Sequence, residues 1–388
     1  MTEIRLIRGD GRVETYRLVG GDAHPTRRDA PPRSRIAYAA AHVVADPLAD
    51  NAPGAPARLD WDATLAYRRH LWELGLGVAE AMDTAQRGMG LDWPATRELI
   101  QRSCAEAAAV GGRIVCGAAT DQLEPGAEVG LDRIVDAYVE QIATIVEAGG
   151  TPVVMGSRHL AAVAQGPDDY AKVYDAVLSQ VREPVLLHWL GAVFDPALAG
   201  YWGSDDLDEA AAVCLDVIAR NADRIAGIKL SLLDADREVA LRRRLPAGVR
   251  MFTGDDFHYP ELILGDEHGH SDALLGVFDA IAPAAAAALA ALDEGDRRRY
   301  AEILDPTVPL ARHLFAAPTS SYKTGIVFLA YLAGHQDHFV MVGGLQSGRS
   351  LPHLGELFVL ADRAGLLPDP DLAVTRMRRV LALAGVEG

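Results

Sequence analysis

Only three lysines, Lys172, Lys229 and Lys323, occur in 388 residues whose Lys+Arg total is 37. Where positive charge alone is needed this chain uses arginine, so a lysine within the apolar run Ala226-Gly-Ile-Lys-Leu-Ser-Leu232 invites chemistry that only a primary amine performs. An amine, unlike a guanidinium, can give up its proton at a shifted pKa and condense with a carbonyl to a Schiff base. At the ordinary value only about one lysine in a few thousand is neutral at pH 7. Burial among apolar neighbours that lowers the pKa by about three units, roughly 4 kcal/mol, removes most of that obstacle. His188, in the run Pro184-Val-Leu-Leu-His-Trp189, adds a group suited to proton transfer near neutral pH. The plainer readings are a structural ion pair for Lys229 and a hydrogen-bonded core imidazole for His188.

These residues need elements to hold them. Short apolar runs, each bounded by turns, are expected as strands at 36–44, 77–82, 113–119, 151–155, 184–190, 226–232, 248–253 and 268–274. Helical patterns separate them at 62–74, 94–110, 131–147, 168–181, 208–221 and 235–245, with start signals such as Asp92 ahead of Pro94. Eight mostly apolar strands alternating with helices predict a parallel sheet covered by helices and, once closed, a (β/α)8 TIM barrel. A doubly wound open sheet is the alternative, but no Gly-x-Gly-x-x-Gly fingerprint follows an early strand. Residues 3–19 alternate around Asp10-Gly11 and predict an N-terminal β-hairpin, joined by a linker to the barrel. The expected organisation is hairpin and linker at 1–34, barrel at 35–292, and a C-terminal helical extension at 293–388.

In such a barrel the chemistry sits at the C-terminal strand ends. That rule nominates Asp83 and Thr84 after strand two, Asp121 after strand three and Arg158 after strand four. It adds Ser231 beyond Lys229, Asp255 after strand seven and His270 from strand eight. Asp255 and Asp256 could equally cap the helix that follows them. His258 and His268 read as loop residues, Cys116 as core, and Gly343–Gly348 as a turn, because no Gly-Lys-Ser/Thr ending follows it.

Three motifs in order, Pro184-Val-Leu-Leu-His-Trp189, Ala226-Gly-Ile-Lys-Leu-Ser231 and Phe252-Thr-Gly-Asp-Asp256, resemble the dihydrodipicolinate synthase / N-acetylneuraminate lyase superfamily. Leu59-Asp-Trp-Asp-Ala-Thr-Leu65 with Leu71-Trp-Glu-Leu-Gly75 looks like that superfamily's first helix, and Tyr322-Lys-Thr-Gly325 like a late one. The last match implies that Lys323 is a family lysine without a catalytic role. The resemblance spans roughly residues 35–360. It implies a class I aldolase-type barrel with Lys229 as the imine-forming lysine and no further cofactor. The superfamily's proton-relaying tyrosine falls on His188. Its carboxylate-holding loop falls on Asp83-Thr-Ala-Gln-Arg87, where Thr84 persists and Asp83 would repel an anion; its arginine falls on Val193, leaving Arg158 as a substitute. The expected substrate is therefore a small keto-sugar or keto-acid, with the acidic and hydroxyl groups favouring a polyhydroxylated one.

A net charge of −17 argues against nucleic acid and anionic membranes as partners. Three dispersed cysteines, the absence of an apolar leader and the lack of a long apolar span give a cytoplasmic expectation. The superfamily's habits imply a homodimer or homotetramer. Two other function classes remain open at this level. One is a divalent-metal sugar isomerase or epimerase with Glu80, Asp121, His188, Asp255 and His270 as ligands; the other is a ligand-binding barrel without catalysis.

Overall fold

The computed structural model describes residues 2–9, 11–20, 24, 27–28, 30–124 and 129–386; Asp10 at the expected hairpin tip and parts of the expected linker lie outside them. Strands β1 (Glu3–Ile7) and β2 (Val13–Arg17) form the antiparallel hairpin. Eight parallel strands then close a (β/α)8 TIM barrel: β3 (Ala37–Ala40), β4 (Gly77–Glu80), β5 (Ile114–Ala118), β6 (Thr151–Val154), β7 (Val185–Leu190), β8 (Ile225–Ser231), β9 (Arg250–Thr253) and β10 (Asp272–Leu275). They run in chain order around the barrel, and β10 pairs with β3.

The connecting helices are α1 (Trp61–Glu73), α2 (Trp93–Val110), α3 (Leu131–Glu147), α4 (Arg158–Val163), α5 (Pro167–Leu178), α6 (Leu207–Arg220), α7 (Ala235–Arg242) and α8 (Tyr259–Leu264). Several begin for one local reason. Asp60, Asp92, Asp206 and Asp234 hold extended backbone, and each carboxylate accepts an N–H from the first turn that follows. Amphipathic helices such as α3 then turn Ile134, Tyr138, Ile142 and Ile145 onto the sheet.

The barrel interior is filled by one side chain from nearly every strand: Ala40, Ala79, Val115, Val153, Leu186, Phe252 and Leu274. β8 contributes Gly227 at that level, because a Cβ there would lie 2.8 Å from the Phe252 ring. The floor is polar. Asp272 accepts the Ile36 N–H at 2.7 Å and pairs with Arg250.

Beyond β10 come α9 (Val277–Ala280), α10 (Ala282–Asp293), α11 (Arg297–Leu304), α12 (Val308–Leu314), α13 (Tyr322–Ala333), α14 (Leu351–Arg363) and α15 (Pro370–Leu383). Helix α13 is apolar nearly all round and buried from Tyr322 to Leu332, as its sequence requires. Gly325 lets α12 and α14 close on it, since a Cβ there would meet Leu314 at 2.3 Å and Leu357 at 2.9 Å. The hairpin lies on the same layer. Ile4 and Leu6 are buried, Tyr16 Oη donates to Asp362 at 2.6 Å, and Arg8 pairs with Glu356. The start of α13 is thereby fixed beside the barrel mouth. No helix among the described residues is long and apolar enough to cross a membrane.

Candidate active site

Lys229 stands on β8 opposite His188 of β7 on one side and Phe252 of β9 on the other. Its alkyl chain runs across the next strand at Gly254. A Cβ at that position would sit 2.7 Å from Lys229 Cε and 2.1 Å from Ser231 Oγ, so the absent side chain is what lets both groups lie there. Lys229 is 7% exposed. Burial pulls its ammonium down to about 8, against the through-space charges of Asp256 and then Asp83. At that value about one amine in ten is neutral at pH 7.

The acid beside Lys229 is Asp256 rather than Asp255. Asp255 closes a local turn: its Oδ1 accepts the Phe257 and His258 N–H groups at 2.8 and 3.0 Å, and its Oδ2 meets His258 Nδ1 at 2.9 Å. Asp256 faces the mouth, with Oδ1 accepting the Val277 N–H at 2.8 Å. Burial pushes its carboxyl up to about 7, with that hydrogen bond and the Lys229 charge opposing. His188 Nε2 lies 3.1 Å from Ser231 Oγ, while Nδ1 has no partner among the described residues. Burial first, and the Lys229 charge second, hold this imidazole well below its ordinary value, so it is neutral at pH 7.

The opposite wall is built from the loop after β4 and the start of α13. Lys323 Nζ donates to Asp83 Oδ2 at 2.8 Å and to the Ser320 carbonyl at 3.0 Å. Thr84 Oγ1 and Tyr322 Oη are 2.8 Å apart. Lys323, placed outside the site by the sequence resemblance, thus bears on Asp83; Tyr322 and Gly254 join the cluster without having been nominated, and of the Asp255 and Asp256 pair it is Asp256 that joins it. No local pattern announces Tyr322, whose partner is 238 residues away.

The remaining nominated residues lie elsewhere. Asp121 is gripped by Arg87 through two hydrogen bonds, of 2.6 and 2.9 Å, and by Gln141 at 2.9 Å. Burial alone would raise its carboxyl, but the Arg87 charge prevails and holds it below the usual carboxylate range. Arg158 is half-exposed and paired with Asp195 at 2.6 Å. His270 is at the wrong end of the barrel. Asp266 and Gly269 close a small bridge, so the last strand starts at Asp272 rather than 268, and His270 precedes it. The metal-ligand alternative is dispersed in the same way. Glu80 accepts from Arg68 with both oxygens at 2.8 Å, and Asp121, Asp255, His188 and His270 do not converge. Among the described residues no group of three or more His, Cys, Asp or Glu is arranged to hold a metal ion.

Solved structures similar to this one are dihydrodipicolinate synthase-type barrels. YagE, a prophage protein of the dihydrodipicolinic acid synthase family from E. coli K12 in complex with pyruvate, aligns over 86% of this chain and 99% of its own. The TM-score is 0.67 and the identity 13%. Dihydrodipicolinate synthase from Thermotoga maritima aligns over 86% and 100%, with a TM-score of 0.64 and 16% identity. That from Oceanobacillus iheyensis aligns over 77% and 87%, with a TM-score of 0.58 and 15% identity. These likenesses show a shared fold. Curated protein sequences give no match. One family model covers residues 4–386, hairpin and extension included, and the chain therefore belongs to the family described as protein of unknown function (DUF993).

Proposed function

We propose that this protein is a Schiff-base-forming class I aldolase or lyase that acts on a small, polyhydroxylated carbonyl compound through Lys229. The observation that carries this reading is the amine itself: buried, lowered to about 8, and laid across the gap at Gly254 toward the strand ends. In the reaction the neutral amine attacks the carbonyl carbon, and the carbinolamine loses water to give the imine. The protonated imine then accepts the electron pair of a neighbouring C–C or C–O bond. Asp256 serves the amine, because a carboxyl held near 7 beside a lysine near 8 can take and return the proton that imine formation moves.

The charges around the mouth support the substrate class. Arg87 is engaged by Asp121, Arg158 by Asp195 and Lys323 by Asp83, and Val193 stands half-exposed where the superfamily carries arginine. Asp83, Asp256, Thr84 and Tyr322 offer groups that bind hydroxyls. This arrangement favours an uncharged keto-sugar-like compound over a keto-acid such as the pyruvate bound by YagE.

The test is borohydride reduction in the presence of a panel of uncharged ketoses and α-keto acids, read by intact mass. An adduct that forms best with the uncharged compounds and disappears in Lys229→Ala is the expected result. An unchanged adduct in Lys229→Ala, or none with any compound, contradicts the proposal.

A further inference from the structure

We propose that Tyr322, hydrogen-bonded to Thr84, carries the proton at the carbon next to the Lys229 imine, an assignment that rests on the imine reading above. Tyr322 opens α13, far along the chain from the strand that bears Lys229, yet its hydroxyl is fixed at the barrel mouth. Its ring stacks on Phe315 with centroids 4.3 Å apart and planes at 16°, and it is 3% exposed. Its Oη lies 2.8 Å from Thr84 Oγ1.

The pair packs closely against the end of β10. Gly276 follows β10 there, and a Cβ on it would lie 3.3 Å from the Tyr322 ring and 3.5 Å from Thr84 Oγ1. At Gly254, at the end of the neighbouring strand, Lys229 takes the corresponding position, its Cε 2.7 Å from where a Cβ would sit. Two closely packed glycines at adjacent strand ends thus carry the amine at one and the hydroxyl pair at the other, and Asp256, two residues after Gly254, accepts the N–H of Val277, the residue after Gly276, at 2.8 Å.

The same two carboxylates join them. Asp83 and Asp256 act on the charge of Lys229, and the negative charge of both also bears on Tyr322. Burial, followed by these negative neighbours, holds the phenol well above its ordinary value, so Tyr322 stays protonated and can move a proton only by accepting one as it releases its own. His188 is less suited to this step, since its Nε2 faces Ser231.

The step balances as follows. The α-carbon proton passes to Tyr322 Oη while the phenol proton passes to the Asp83 carboxylate, which Lys323 holds at 2.8 Å. The C–H electron pair becomes the C=C bond, and the C=N pair returns to the Lys229 nitrogen, leaving a neutral enamine. Reversal delivers the proton back to carbon. No oxidant or further reactant is needed.

A buried tyrosine hydroxyl ordinarily has a partner, so Thr84 could be only that. Separating imine formation from proton transfer distinguishes the two roles. With hydroxyacetone as probe, borohydride trapping reports the imine, and deuterium uptake from D2O at the probe's α-carbon, followed by NMR, reports the proton step. In Tyr322→Phe trapping is expected within about threefold of wild type, while exchange slows at least about 100-fold. Thr84→Val, which keeps the ring, is expected to slow exchange about tenfold and provides the test should Tyr322→Phe fail to fold. Exchange at the wild-type rate in folded Tyr322→Phe, or in Thr84→Val should that be the variant available, overturns the assignment. Equal loss of trapping and exchange overturns it too, because Tyr322 would then only shape the site. Wild-type trapping without exchange contradicts it directly. Wild-type protein that traps neither hydroxyacetone nor pyruvate overturns the imine reading and this assignment together.

Discussion

The two sides of the barrel mouth bury charge in opposite ways. On the β4–β5 side Arg87 is saturated: it binds Asp121 twice, donates to the Ala81 and Gly117 carbonyls, and reaches Gln141, which in turn holds Asp121 and the Ala119 N–H. On the β8–β9 side Lys229 meets Asp256 and Asp83 only through space, and both it and Asp256 lie near neutral pH in their titration. A satisfied network fixes the scaffold, and an unsatisfied one leaves protons free to move. Counting polar residues at strand ends does not tell these apart, which is why Asp121 looked like a site residue.

The largest expected effect is on the saturated side. Arg87→Ala leaves Asp121 and Gln141 without their partner and should cost about 3–5 kcal/mol by denaturant melting. A loss under about 1 kcal/mol would mean that the network is not structural. Next comes Gly254→Ala on the open side. The added methyl, 2.7 Å from Lys229 Cε, should cut the trapping rate roughly 100-fold, equivalent to about 2.7 kcal/mol, in protein that still folds. Trapping close to wild type would show that the lysine does not depend on that gap.

Asp256→Asn tests the coupling. Trapping needs neutral amine, so the wild-type rate should climb with pH and level off above about 8. The Asp256 carboxylate favours the ammonium, and removing it should move the inflection to lower pH. An inflection that stays or rises breaks the pair. The smallest effect is expected from Arg158→Ala, whose half-exposed pair with Asp195 should be worth less than about 1 kcal/mol. Trapping should be unchanged for every probe; a loss confined to keto acids would restore Arg158 as an anion contact.

Much of this was legible in the sequence, and the failures have local causes. The alternation of apolar runs and helical patterns specified the barrel, and the rarity of lysine singled out Lys229. The order of Asp255 and Asp256 was not legible, because which carboxylate turns inward depends on the Asx-type turn that Asp255 makes with Phe257 and His258. His270 was misplaced because Gly269 and Asp266 delay the last strand by a few residues, and that delay moves a side chain from one end of the barrel to the other. Tyr322 and Lys323 were invisible as site residues because helix packing alone, through Gly325 and the apolar body of α13, delivers them to Thr84 and Asp83.

The most direct measurement is peptide mapping of the borohydride-reduced adduct, since the chain offers only three lysines to choose between. Lys323 is also buried, but its ammonium donates to Asp83 and the Ser320 carbonyl. The added mass is expected on the peptide containing Lys229 and not on those containing Lys323 or Lys172. An adduct on Lys323 would place the nucleophile on the hydrogen-bonded wall and contradict the central claim.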